Sequence, residues 1–262
     1  MKKIIKKILT FLSVYYAYML EYRAELILWV LAGALPIILM GVWIQAAQGG
    51  QFGLTPVDFA RYFITVFFVR QLTVVWVIWD FEKEVIEGKL SFRLLQPIDP
   101  VWHHVAGHLS ERVARIPFIL LLIFLFFILY PQAIWWPNLG QFLLFGLAVI
   151  LAFVLRFIIQ YTFGLFAFWT ERASALETFW LLFYLFLSGL IAPLEVFPET
   201  VRTIVMFTPF PYLINFPVSL LVGLPVDVAR GFLSLVGWIL LFLGANRLLW
   251  RAGLKRYSGM GA

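Results

Sequence analysis

Three histidines lie close together: His103, His104 and His108. On a helix, His104 and His108 at i, i+4 put two imidazoles on one face, which is how a metal site can begin. The chain has no cysteine, and no further ligand stands beside them in sequence. Ordinary interfacial histidines are therefore the expectation, with no metal. Arg70, next to Gln71, and Arg156, four residues before Gln160, are stranger because both fall inside apolar stretches. A cation in hydrocarbon costs at least ~2.5–3.5 kcal/mol, so each must face protein or water. Two readings stand: a lining that attracts an anionic group, or a structural role, by pairing with an acid such as Glu177 or Glu195 or by snorkelling. The chain has neither a G-x-x-x-x-G-K-[ST] phosphate loop nor an H-E-x-x-H motif. No catalytic residue and no cofactor of its own is expected.

The elements that hold these groups follow from composition. Of 262 residues, 63% are hydrophobic and only 13% charged. Mean hydropathy is +0.95. A soluble domain is roughly 45–50% apolar and about 25% charged. No soluble fold of this size could hide so much apolar surface, so its solvent is largely lipid. The fold class is an all-α integral membrane protein. Disordered, collagen-like and disulfide-framework classes are excluded. The net charge of +6 is better explained by bases on cytoplasmic loops than by nucleic acid.

A crossing needs ~20 mainly apolar residues. Six stretches qualify, near 26–45, 57–79, 116–135, 139–169, 176–194 and 228–250. Fifteen of the 20 Lys and Arg fall on one side: the N-terminal segment, the loop 80–115, Arg172 and the tail. The loops 46–56 and 130–138 carry none. Both termini are therefore expected in the cytoplasm, a parity that six crossings satisfy. Trp43, Trp79, Trp135, Trp136, Trp169 and Trp250 fall at expected headgroup levels. Residues 1–25 do not read as a signal peptide. Ile4, Ile5, Ile8, Leu12, Tyr15, Tyr16 and Met19 form a helical stripe, no A-x-A site follows, and Glu21, Arg23 and Glu25 interrupt the run. An amphipathic helix lying in the cytoplasmic interface is expected, with its lysines toward headgroups.

Two connections have unusual chemistry. The loop 80–115 opens as a charged extension of the second crossing and caps at Gly88. It continues through Leu94, Leu95, Gln96, Pro97, Ile98, Asp99 and Pro100. The prolines fix a bend that presents Leu94, Leu95 and Ile98 among charges, a pattern suited to docking. The segment 193–227 carries six prolines, and its apolar pieces are too short to cross. Non-helical backbone at membrane depth must be covered by protein or line a cavity. Broken re-entrant or interfacial helices on the outer face are expected. Gly231, Gly237 and Gly244 read as sites of helix packing in the last crossing.

These features together resemble the membrane subunit of ABC-2-type ABC transporters, most nearly a bacterial permease branch. The resemblance rests on the N-terminal helix, the six crossings, the run Glu84-Val-Ile-Glu-Gly-Lys-Leu90 leading to Leu94-Leu-Gln-Pro-Ile-Asp-Pro100, and the broken outer segment. It covers nearly the whole chain as one permease domain, 1–262. The importer-type E-A-A…G signature is not matched, since Glu84-Val-Ile-Glu-Gly88 has the wrong spacing. The resemblance implies a multi-pass subunit of a bacterial inner membrane ATP-driven exporter. Its coupling surface would include Glu84, Glu87, Gly88, Leu94, Leu95, Pro97, Ile98 and Asp99. Two cytoplasmic ATPase copies would bind ATP and Mg, and a second permease, a different chain or the same, would complete the pathway. Such systems commonly move lipidic or amphipathic molecules, and Arg70, Arg156, Phe179 and Phe183 are the pathway candidates. A secondary transporter would show internal repeats, which are not seen. A non-transporting membrane assembly subunit is the other alternative.

Overall fold

The computed structural model describes residues 2–50 and 52–257, apart from the side chains of 2–5 and 7. The expected aim of Lys2, Lys3 and Lys7 toward headgroups lies outside that description. Among the described residues every regular element is helical. Five helical stretches are long and apolar enough to cross a membrane: Arg23–Ala47, Pro56–Ile86, Val101–Leu129, Leu139–Phe168 and Val228–Arg256.

Helix α1 (Lys2–Glu21) packs along the start of a later helix and leads into α2 (Arg23–Ala32) and α3 (Leu35–Ala47). The break between α2 and α3 follows from Gly33 and from Pro36, which cannot donate to the carbonyl four residues back. Helix α4 (Pro56–Thr73) starts at a capping box, with the Thr55 side chain accepting from the Asp58 amide and Pro56 at the first helical position. Three non-helical residues separate it from α5 (Val77–Ile86). Gly88, at φ +71°, ends this arm and turns it into α6 (Leu90–Leu94).

Helix α7 (Val101–Leu129) is 29 residues long, ~44 Å at 1.5 Å per residue. That exceeds a ~30 Å hydrocarbon core, so one end extends beyond it. Helix α8 (Leu139–Gly164) begins at a second capping box, Asn138 with Gln141, and closes in a 3-10 turn through Phe168. Helix α9 (Ala175–Leu187) has 13 residues where a full crossing over 176–194 was expected. Gly189 takes φ +89° just after it, a conformation favouring glycine. The prolines that follow prevent resumption. A 13-residue helix covers ~20 Å, short of the hydrocarbon depth.

The proline-rich segment forms α10 (Glu199–Val205) and α11 (Asn215–Val222). Residues 215–221 of α11 are all buried, packed against α4 and α8. The 3-10 turn Phe210–Leu213 just before α11 is buried as well, while Gly223, Pro225 and Asp227 after it are exposed. Trp43 donates to Ile191 O at 2.8 Å, and Trp135 donates to Leu221 O at 3.2 Å. Helix α12 (Val228–Arg256) starts at Asp227, whose carboxylate accepts from the Arg230 amide. Of its three expected packing glycines, Gly231 does sit against another residue, and a Cβ there would overlap the Phe216 ring. Gly237 and Gly244 face open space instead. Gly253 plays that part at the other end, against Phe168.

The core has two parts. The larger gathers α3, α4, α7, α8, α11 and α12 around Tyr62, Phe63, Phe67 and Tyr212. The smaller joins α5, α6 and the end of α8 around Phe81, Leu90, Phe157 and Phe168.

Candidate functional site

The α5–α6 turn is built from beneath. Leu90 is fully buried and belongs to the smaller core. Glu84, expected at the surface, is also buried: one carboxylate oxygen lies 2.6 Å from Arg93 Nη2 and the other 3.4 Å from His104 Nε2. It ties α5 and α6 to the start of α7. A carboxylate this enclosed needs such partners, because an unpaired buried charge is strongly unfavourable. Glu87 and Gly88 lie above it. Glu87 is exposed between Lys83 and Lys89, and its hydrogen bond to Lys89 holds its carboxyl below the usual range.

On this base the apolar side chains point outward. Leu95 is 85% exposed and Phe92 71%. Leu94 and Ile98 are less exposed, and Pro97 lies at the surface with them. Phe92 was not among the residues expected here, although it stands three residues before Leu95, on the same side of a helical turn. Asp99 accepts from the Val101 amide at 3.0 Å and opens α7.

His104 and His108 are buried rather than interfacial, and His103 is half-buried. His104 faces Glu84. His108, 3% exposed, lies among Trp76, Phe157 and Glu111. His103 meets the Tyr15 hydroxyl at 2.8 Å and the Phe11 ring, fastening α1 to α7. The reason is helical phase: α7 turns its His104–His108–Glu111–Arg115 face toward α5 and α8. Among the described residues no group of three His, Asp or Glu is arranged to hold a metal ion.

Arg112 and Arg115, counted in the sequence as loop bases, are buried too. Where α4 stops, the carbonyls of Leu72 and Val74 lose their helical donors. Arg112 Nε donates to Leu72 O at 2.6 Å, while its two terminal nitrogens donate to Val74 O and His108 O. The guanidinium stacks on Phe153, 4.1 Å from the ring centre. Arg115 pairs with Glu111 and lies over Trp76. The spacing His108, Glu111, Arg112, Arg115 marks one helix face, and that periodicity was the available signal.

The same solution recurs at the break between α2 and α3. There the Ala34 amide donates to Leu31 O and the Ile37 amide to Ala34 O, which frees Val30 O and Gly33 O. Gln71 Nε2 donates to Val30 O at 2.9 Å and Arg70 Nη1 to Gly33 O at 3.3 Å. Arg70 therefore faces α2 and α3, not an acid. Arg156 faces α9: its guanidinium lies 4.1 Å from the Tyr184 ring centre. Gln160 donates to Glu177 at 2.7 Å in the same layer. Glu195 is far from both arginines in role. It lines a polar cavity of about 330 Å³ with Arg202, Asn215, Asp227 and Arg230, where burial pushes its carboxyl up. Phe179 and Phe183 stack edge to face and are 66% and 39% exposed on the outer face of α9.

Buried cations spent on loose carbonyls, an exposed apolar turn and several long apolar helices define a multi-pass helical membrane protein. The chain belongs to the ABC-2 family of transporter proteins, whose family model, described as ABC-2 family transporter protein, matches residues 50–261. It is a membrane component of transport, in a family whose permeases generally pair with a cytoplasmic ABC ATPase. No curated protein matches the chain.

Proposed function

We propose that this chain is the permease subunit of an ATP-driven exporter in a bacterial plasma membrane. The observation that carries this reading is the apolar pair Phe92 and Leu95, exposed on a turn that the buried Glu84 ties down through Arg93, with His104 beside it. Exposed apolar surface on a fixed charged turn suits a docking knob. The partner is a cytoplasmic ATPase, present in two copies, which binds the ATP and Mg. Leu94, Leu95, Pro97 and Ile98 enter its groove, with Glu87 and Asp99 at the rim, and Gly88 sets the turn.

The chain crosses six times with both termini inside. Helix α9 and the buried residues after it make up the fifth crossing, α10 and α11 re-enter from outside, and α1 lies in the inner interface. A second permease, identical or different, supplies the other half of the path. The exposed aromatics Phe179 and Phe183, with Arg156 behind them at Tyr184, suit an amphipathic or lipidic substrate with an anionic group. Arg70 is occupied by the α2–α3 break, so Arg156 is the cation available to the path.

The test is Leu95→Asp in the assembled transporter. The account expects loss of ATPase co-purification, or of coupled transport, with membrane insertion unchanged. Unchanged ATPase association together with unchanged transport overturns it.

A further inference from the structure

A groove of about 300 Å³ runs between α7, α8 and α12. Phe153, Val154 and Phe157 of α8, with Val105 of α7 and Leu243 of α12, line its apolar reach. Toward the docking turn the lining changes to Trp102, Tyr161, Arg247 and Trp250. The helices thus grade the groove from apolar to aromatic to charged.

Two further observations point to an occupant. Tyr161 is only 4% exposed, and its hydroxyl has no hydrogen-bond partner among the described residues, although the residue lines the groove. A buried hydroxyl without a partner is costly, so a ligand atom there would be stabilised. The charge around the mouth is also mainly basic. Arg247 has a side chain 65% exposed, and Arg251 and Lys255 follow at i+4 intervals, both exposed. Asp99, the acid in the lining, turns Oδ2 toward Arg247 at 3.9 Å while its Oδ1 caps the start of α7.

We propose that this groove holds an anionic phospholipid of the inner leaflet. An acyl chain lies along Phe153, Phe157 and Leu243, and the Tyr161 hydroxyl donates to an ester carbonyl. The phosphate accepts from Arg247, with Trp102 and Trp250 at headgroup level. A free anion would leave the aromatic reach empty, and a neutral lipid would leave the basic mouth unmatched. Because Asp99 and Trp102 belong to the docking turn and its continuation, the lipid would brace that turn against α12. The proposed orientation enters only in naming the leaflet.

The test is native mass spectrometry of the full chain in detergent, with phosphatidylglycerol and phosphatidylcholine of the same acyl chains added in turn. Phosphatidylglycerol should be retained about fivefold more, as expected for one base near a headgroup. Arg247→Gln, an exposed change that leaves the core intact, should bring retention down to the phosphatidylcholine level. Arg172→Gln, an exposed base on another loop, should change nothing. Val154→Trp, filling the groove, should lower retention of both lipids. Equal retention of the two lipids by the native chain makes this a plain acyl groove and overturns the proposal. Undiminished phosphatidylglycerol in Arg247→Gln, or an equal loss in Arg172→Gln, overturns it as well. If Arg247→Gln changes the oligomeric state and not lipid retention, the groove is an interface between copies and the proposal fails.

Discussion

Arg112 supplies donors to three carbonyls, two of them left open where α4 ends. Each buried polar group left unpaired costs about 1–3 kcal/mol. Arg112→Ala should therefore destabilise the fold by roughly 2–5 kcal/mol, read as a fall in thermal unfolding temperature in detergent. A variant as stable as the native chain would show that the interruption of span two does not depend on this guanidinium. Gln71 does the same work for a single carbonyl, and its loss should cost less. Arg70 and Arg156 were recognisable from sequence because each stands out in an apolar run. Arg112 and Arg115 were not, because they follow a charged loop and read as ordinary cytoplasmic bases. Only the phase of α7, which turns His108, Glu111, Arg112 and Arg115 inward together, reveals them.

At the scale of elements, breaks decide the architecture. Glycine and proline positions in the sequence located the bend at Gly88 and the broken segment before α12. They did not reveal the early end of α9, because the apolar run continues past Leu187 and hydropathy ignores backbone conformation. The stop depends on Gly189 at φ +89°, wedged beside the Tyr62 hydroxyl and the Asn215 side chain. The Tyr62 oxygen lies 2.8 Å from Gly189 O and 2.9 Å from Asn215 Oδ1, and the Asn215 amide donates to Ser188 O. Gly189→Ala adds a Cβ that would overlap those groups, and it also strains the backbone by about 1–3 kcal/mol. The expected result is a clear loss of thermal stability with the unfolding still cooperative. An unchanged unfolding temperature would mean that α9 ends for some other reason. The break between α2 and α3 was equally invisible in sequence, since Pro36 near a helix start is common and the compensating donors come from residues 70 and 71.

For the whole molecule, the account makes one end of the bundle a docking surface and the other a protein-covered set of broken helices. Composition made the lipid-embedded class legible, because it depends on totals and not on geometry. The anchoring of the α5–α6 turn was not legible. It comes from Glu84 being buried against Arg93 and His104, and sequence shows that acid only as one more charge. Phe92 stayed hidden for the same reason, since exposure is set by how α6 sits on Leu90. The chain has no cysteine, so a single introduced thiol reports its own position. The most direct measurement is maleimide labelling of three variants in intact cells and then in opened membranes: Trp136→Cys, Lys255→Cys and Leu95→Cys. The account predicts that position 136 labels in intact cells, while 255 and 95 label only after opening. It further predicts that the ATPase partner shields 95 and leaves 255 open. Labelling of 95 or 255 in intact cells, or of 95 equally with and without the ATPase, would contradict it.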